Sequence, residues 1–335
     1  MANGKEIRLA EIAKQAHVSI STVSRILNNE ARVSDDIRER VERVIQSMGY
    51  ERKSPKRNSN HFLAFICPNI ANPFFASLIK GTENVTKTHG FNLILYDSED
   101  DPRIASKNID SALKIGVSGF IYIATTGDDL SINRAILAGV PVVFLDRKLN
   151  IPQMSYVGSD NRSGAYQAVK YLIALGHERI VYLSGPRDIS TEEERFEGYL
   201  DAHKECGLPV ENSLFVSADY HMESAHSNMK LFMRANPVFS AIFATNDLMA
   251  FGARQAIEEV GKQIPEDVSI VGYDDISVST IVHLTTVTTP TYEMGKNAAL
   301  LLEDLIMNRK TAPQTVILQP SLRIRSSCII FDQQS

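Results

Sequence analysis

Residues Leu9 to Asn28 read LAEIAKQAHVSISTVSRILN, and the reading of the chain starts from them. Leu9, Ile12, Ala13 and Ala16 recur at three- and four-residue spacing, the apolar stripe of a short helix. His17 and Val18 interrupt that pattern. Ser19 suits the N-cap of a second helix whose apolar side is Val23, Ile26 and Leu27. Two short helices joined so tightly form a helix-turn-helix, and its second helix can enter the DNA major groove. A third helix follows. Ser34 caps it, Asp35 and Asp36 face the positive end of its dipole, and Ile37, Val41, Val44, Ile45 and Met48 form its stripe before Gly49. A unit of about 50 residues has little surface for any other task. The competing reading is a small helical cap domain.

The same stretch carries a recognisable spelling. Ala13, Ala16, Val18, Ser19, Thr22, Val23, Ser24, Arg25 and Asn28, with Val33-Ser34 opening the third helix, resemble the headpiece of the lactose/galactose-repressor (LacI/GalR) family. The resemblance extends more loosely through nearly the whole chain. It implies that Ile20, Ser21 and Arg25 face base edges while Ser19, Thr22, Ser24 and Asn28 meet phosphates, with Arg32 also in the DNA-binding set. Arg25 would grip guanine O6 and N7, and Ile20 would touch a thymine methyl. The family works as a homodimer on near-palindromic operator DNA, because one short helix contacts too few bases alone.

Charge is divided along the chain. The 335 residues carry a formal net charge of −5, which suits a DNA binder poorly. Residues 1–60, however, hold 12 Lys and Arg against 8 Asp and Glu, while the remainder holds 23 against 32. The positive surplus sits with the helix-turn-helix, where phosphate binding needs it. A length of 335 exceeds one ordinary core. Cys67, Cys206 and Cys328 are isolated and odd in number, which suits a reducing compartment and no zinc site. No apolar run spans a membrane, and the polar N-terminus does not read as a signal peptide. The expectation is a cytoplasmic protein with no membrane partner.

Residues 51–61, ERKSPKRNSNH, contain no aliphatic side chain and read as a basic linker. Arg52, Lys53, Lys56 and Arg57 are available to phosphates. Members of the resembled family usually carry an Ala-x-x-Leu hinge helix here, whose leucine wedges into the minor groove. That pattern is missing, and the segment is about one helical turn short, so a kink made by intercalation is not expected.

From Phe62 the period changes. Strands are expected at Phe62–Cys67, Phe91–Tyr96, Phe120–Ile123 and Val140–Leu145, with helices near 73–89, 102–115 and 130–138. A second series places strands at Ile180–Leu183, Phe215–Ser217, Ala241–Phe243 and Ser269–Val271, with helices near 163–175, 191–206, 222–235 and 247–260. Such alternation implies parallel sheets covered by helices. The fold class expected is an all-α helix-turn-helix headpiece plus an α/β two-lobed domain of two parallel doubly wound sheets. This resembles periplasmic sugar-binding proteins, in which the chain crosses between lobes three times, here near residues 160, 288 and 319. The domains read as headpiece 1–50, linker 51–61 and sugar-binding domain 62–331. Its N-lobe takes about 62–159 and 289–319, and its C-lobe about 160–288 and 320–331.

Ligands of open parallel sheets bind outside the carboxyl ends of the strands. The segments there are polar and aromatic: Asn72, Phe74 and Phe75; Asp146 and Arg147; Ser159-Asp160-Asn161; Arg195; Tyr220; Asn246-Asp247; and Asp274-Asp275. Carboxylates, guanidinium groups and amides that bracket hydroxyls, with aromatic faces on C–H surfaces, make a monosaccharide site. The stretches N-P-F-F at 72–75, L-D-R at 145–147, R-x-E-G at 195–198, N-D at 246–247 and G-Y-D at 272–274 resemble a ribose-type pocket. That resemblance assigns ligand binding to Asn72, Phe74, Phe75, Asp146, Arg147, Ser159, Arg195, Tyr220, Asn246, Asp274 and Thr289. Tyr220 and Thr289 depart from it, since phenylalanine and glutamine are common there. Plainer readings compete: Phe74 and Phe75 as core, Asp160 as a helix cap, Asp247 and Asp275 as groups that orient neighbours, and Arg147 as a surface ion pair.

Enzyme signatures are lacking. No phosphate loop, dinucleotide fingerprint, nucleophile elbow or H-E-x-x-H occurs. Ser77-x-x-Lys80 and Ser111-x-x-Lys114 fall inside amphipathic helices without partner motifs, and His221 and His226 are five apart, the wrong spacing for a helical metal pair. Tyr122, Tyr156 and Tyr182 belong to strands as packing residues. The sequence therefore reads as a transcription regulator, a repressor, that needs no cofactor and couples a small carbohydrate effector, ribose-like, to operator affinity. The alternatives are a regulator that answers to a partner protein or to no ligand, and a sugar-binding protein of a transport system.

Overall fold

The computed structural model describes residues 13–19, 22–23, 36–37, 40–41, 43–44, 61–127, 131–149, 151–309 and 312–332. Leu9, Ile12, Ile20, Ser21, Ser24, Arg25, Asn28, Arg32 and the linker residues 51–60 lie outside them. The chain divides into two compact units, Met1–Arg57 and Asn58–Ser335.

In the first unit the expected break between helices is visible. Residues 13–15 are helical, His17 takes a left-handed φ of 53°, and the Val18 amide turns back to the Ala13 carbonyl at 3.0 Å. The Ser19 hydroxyl then accepts from the Thr22 amide at 3.1 Å, the geometry of an N-cap. Ala13, Ala16, Val23 and Val41 are buried, as their places in the apolar stripes require.

The second unit contains two six-stranded sheets. β1 (Phe62–Cys67), β2 (Asn92–Asp97), β3 (Gly119–Tyr122), β4 (Val142–Leu145), β5 (Ser155–Ser159) and β11 (Thr315–Leu318) form the first, in the order β11-β5-β4-β3-β1-β2, all parallel. β6 (Ile180–Ser184), β7 (Phe215–Ser217), β8 (Ala241–Ala244), β9 (Ser269–Asp274), β10 (Thr285–Thr288) and β12 (Ser321–Arg323) form the second, in the order β12-β10-β9-β8-β6-β7. Its edge strand β12 runs antiparallel to β10, a departure from two wholly parallel sheets. Only Gln319 and Pro320 separate β11 from β12, too short a link for a crossover helix.

Helices cover both faces of each sheet: α1 (Pro73–Thr88), α2 (Pro102–Ile115), α3 (Asn133–Leu137), α4 (Asn161–Ala174), α5 (Ser190–Glu205), α6 (Met222–Met233), α7 (Asp247–Glu259), α8 (Ser277–Ile281) and α9 (Thr291–Ile306). Central strands are therefore apolar on both sides; β3, β4, β6 and β8 are buried at every residue. The chain passes from the first sheet to the second between β5 and α4, returns between β10 and α9, and passes again between β11 and β12. On its return, α9 lies against α1 so closely that a Cβ at Gly295 would stand 2.0 Å from the Leu78 carbonyl oxygen. Any larger residue there would force the two helices apart. β4 starts later than its aliphatic run suggests. The Val140 amide bonds the Ala135 carbonyl at 3.1 Å and closes the turn after α3, so strand pairing begins at Val142.

Candidate functional site

The carboxyl ends of both sheets face one cleft of about 270 Å³. In the first lobe, Asn72 caps α1 by accepting the Phe74 amide at 3.0 Å, with Pro73 supplying the preset first turn. The cap aims Phe74 and Phe75 at the cleft, their rings edge to face at 5.2 Å. Both also belong to the core beneath, so the core and cleft readings both hold. After β4, Asp146 takes a left-handed φ of 62°; its amide bonds the Val157 carbonyl and its own carbonyl accepts the Tyr156 hydroxyl at 2.7 Å. The backbone is thus pinned from both sides while the carboxylate lines the cleft. Arg147 is buried and gives Nη1 to Asp100 Oδ1 at 2.9 Å and to the Ala124 carbonyl at 3.2 Å. It is a buried ion pair within the site, not the surface pair of its plainer reading.

In the second lobe, Arg195 projects from α5 and is held on all sides. Nε donates to Asn161 Oδ1 at 3.0 Å and Nη1 to the Thr245 carbonyl. Nη2 stands 3.5 Å from Asp274 Oδ1, and the guanidinium carbon lies 3.8 Å from the centre of the Tyr273 ring. Asp274 ends β9 with a φ of 107°, buried, and Oδ1 has no hydrogen-bond partner. Burial drives its carboxyl well above the usual range, only partly opposed by Arg195. Burial also raises Asp146, against Arg195 and Arg147. Tyr220 presents its ring to the cleft, but its hydroxyl donates to Glu192 Oε2 at 3.0 Å.

Other candidates turn out to be braces. Asn246 lines the cleft, yet its oxygen caps α7 at Met249 and its amide nitrogen donates to the Tyr220 carbonyl at 3.1 Å. Asp247, fully buried, accepts from Ser279 Oγ at 2.6 Å, Thr286 Oγ1 at 2.6 Å and the Ile276 amide at 2.9 Å. Asp275 pairs with Arg325 and Thr288, and Asp160 caps α4 at Ser163. Ser159 and Thr289 do not line the cleft; both are buried with hydroxyls that lack a hydrogen-bond partner.

The structure adds residues that the sequence reading passes over. Asp97 ends β2 and Glu99 and Asp100 follow it, and Thr191, Asp219 and His221 come from the second lobe. The D-S-E-D-D run at 97–101 sits at a strand's carboxyl end and could have been read as such. Glu192 has no such signal, because three consecutive glutamates resemble a solvated helix face. Here Glu192 is buried, accepting from the Tyr182 hydroxyl, the Gly185 amide and Tyr220. The lobes also touch directly across the cleft. The Gly127 amide donates to Asp188 Oδ2 at 2.7 Å, the Lys148 amide donates to Ser190 Oγ at 3.1 Å, and Asn69 Nδ2 lies 3.4 Å from His221 Nε2.

Known proteins share this arrangement. The family model described as bacterial regulatory proteins, lacI family, matches residues 8–53, and that of periplasmic binding proteins and sugar binding domain of LacI family matches residues 60–326. A ribose operon repressor from Halalkalibacterium halodurans is 31% identical over 300 residues, which cover 88% of each chain. A solved complex of the transcriptional regulator CelR with cellobiose is 32% identical, covers 96% of this chain and 100% of its own, and superposes with a TM-score of 0.75. A LacI family regulator from Enterococcus faecium with bound ribose is 27% identical over 81% of this chain and all of its own, with a TM-score of 0.73. A helix-turn-helix unit followed by two facing parallel sheets, matched almost end to end, places this chain in the LacI family of bacterial transcription regulators.

Proposed function

We propose that the chain is a sequence-specific repressor whose operator affinity is set by one small sugar bound in the interlobe cleft. Asp274 carries this reading. Its Oδ1 is buried without a hydrogen-bond partner in a residue that lines the cleft, a costly state that a ligand hydroxyl would relieve. Phe74, Phe75 and Tyr220 supply apolar faces, while Asp146 and Arg147 supply an acceptor and a donor. The volume, about 270 Å³, is below the usual range of about 300–1,000 Å³ for drug-sized ligands and suits a single sugar ring. The relatives' names point the same way, since they include a ribose operon repressor and regulators solved with cellobiose and ribose.

DNA recognition falls to Ile20, Ser21 and Arg25 for bases and to Ser19, Thr22, Ser24 and Asn28 for phosphates, with Arg32 also in the DNA-binding set. The working unit is a homodimer in the cytoplasm on a near-palindromic operator, and no catalytic step is assigned to it. Among the described residues no helix is long and apolar enough to cross a membrane. Ligand and operator are coupled because a sugar that prefers one lobe arrangement must shift the equilibrium that operator binding also biases. Calorimetric titration against pentoses and hexoses, followed by operator gel shifts with and without the binding sugar, tests both halves. A sugar that binds tightly but leaves operator affinity unchanged would overturn the coupling.

A further inference from the structure

We infer that the cleft selects an uncharged sugar and rejects its phosphate ester. The inference rests on the sugar reading above and adds the charge class of the ligand. Among the described residues six carboxylates line the cleft, those of Asp97, Glu99, Asp100, Asp146, Asp219 and Asp274, against the two guanidinium groups of Arg147 and Arg195. Each guanidinium already stands beside a carboxylate that offsets its charge toward a further anion. Arg147 gives Nη1 to Asp100 and to the Ala124 carbonyl. Arg195 commits Nε to Asn161, Nη1 to the Thr245 carbonyl and Nη2 to the side of Asp274.

Phosphates are otherwise taken by helix N-termini with open amides. Among the described residues three N-termini reach the cleft with their cap residues; those of α1 and α7 are filled from within, and at α6, whose cap His221 makes no side-chain cap bond, the carboxylate of Asp219 already takes the His221 amide. Asn72 occupies the Phe74 amide of α1, and Asn246 occupies the Met249 amide of α7. Even with Asp146 and Asp274 protonated, four carboxylates would still face two cations. One of the four, Asp219, is held below the usual carboxylate range, because hydrogen bonds from Ser224 and the His221 amide outweigh its burial. A dianionic ester entering this lining meets a net negative field in a place partly withdrawn from water, where like charges repel strongly. Hydroxyl groups meet the opposite situation, since unfilled carboxylate acceptors are what a polyol needs.

The test uses the full chain in calorimetric titrations near physiological salt, so that surface charge is screened as in the cell. The probes are ribose, glucose, fructose and galactose, each paired with its monophosphate ester. For whichever pair binds, the neutral sugar should be preferred by about tenfold or more. Asp100→Asn keeps the one oxygen that accepts from both Arg147 Nη1 and the Thr126 amide but removes its charge, leaves the Arg147 cation unneutralised, and should cut that preference by about tenfold. Glu99→Gln, which removes a lining carboxylate without touching either arginine's pairing, should cut it less. An ester that binds the wild-type chain as tightly as its sugar overturns the charge selection and leaves the sugar reading standing. Failure of every probe, neutral and phosphorylated, overturns the sugar reading and this inference with it.

Discussion

Arg195 and Asp274 stand 3.5 Å apart with 5% and 7% of their side chains exposed, yet Asp274 Oδ1 receives no hydrogen bond. The guanidinium is turned to Asn161, Thr245 and Tyr273 instead, so the pair is electrostatic and leaves a buried acceptor unfilled in a residue that lines the cleft. Asp274→Asn keeps the shape and halves the acceptor capacity. It should weaken sugar binding by about tenfold or more, because a site built to pair a hydroxyl is left with the wrong partner. Operator affinity without sugar should stay within about twofold, since the headpiece carries that contact. Calorimetry and gel shifts on the same preparation check both numbers.

Tyr220 behaves differently. Its hydroxyl is bound to Glu192 at 3.0 Å, and Glu192 also holds the Gly185 amide and Tyr182. Only the ring is available to a ligand. Tyr220→Phe should therefore leave sugar affinity within about twofold while lowering unfolding free energy by about 1–3 kcal/mol, the cost of leaving a buried acceptor without its donor. A large loss of affinity with unchanged stability would show that the hydroxyl meets the sugar.

The buried carboxyl of Asp247 should write itself into the pH dependence of stability. Burial pushes it up to about 7, outweighing the hydrogen bonds from Ser279, Thr286 and the Ile276 amide. The unfolded value is about 3.9, so the folded state holds this proton the more tightly. Its stabilising contribution is full below about pH 4, declines as pH rises toward 7 and is flat above that. Asp247→Asn removes the titration. Urea unfolding at several pH values should show a shallower decline across that interval in the variant, and equal slopes would contradict the assignment.

Most of the architecture is legible in the sequence because its signals are local. The aliphatic run Phe62–Cys67, the Asn72-Pro73 start and the polar residues at strand ends each declare their element before any contact forms. What stays hidden depends on distant partners. Glu192 reads as a solvated glutamate until Tyr182, Gly185 and Tyr220 close on it from three other places in the chain. Asn246 and Asp247 sit side by side, and only the neighbours of each decide that one lines the cleft while the other ties α7 to α8 and β10. Arg147 is placed at the site by its strand-end position, but its partner Asp100 lies 47 residues away and is not visible from the sequence.

Recognition by the headpiece gives a further expectation. If Arg25 reads a guanine, Arg25→Ala should cost about 1–3 kcal/mol on the operator and relax preference at one base position. Binding to random DNA should change much less. Equal weakening on both would make Arg25 a phosphate-binding residue.

The linker supplies the last expectation. Residues 51–61 hold Arg52, Lys53, Lys56 and Arg57 and lack an aliphatic side chain to wedge between bases. Their contribution to DNA binding should then be electrostatic, with each neutralised phosphate releasing condensed counterions. Replacing all four by glutamine should flatten the log–log dependence of affinity on salt by up to about 0.9 for each phosphate no longer neutralised. The weakening should be nearly the same on operator and on random DNA, because phosphate binding carries little sequence information. A rival arrangement would recruit Phe62 as the wedge. Phe62 begins β1 and pairs in register with Asn92, so its withdrawal would shorten a six-residue strand at the edge of the first lobe's core. Circular-permutation gel shifts separate the two. The electrostatic linker gives little central bend in wild type and the same small bend in Phe62→Ala, whereas a strong bend abolished by Phe62→Ala, with sugar binding intact, would establish intercalation instead.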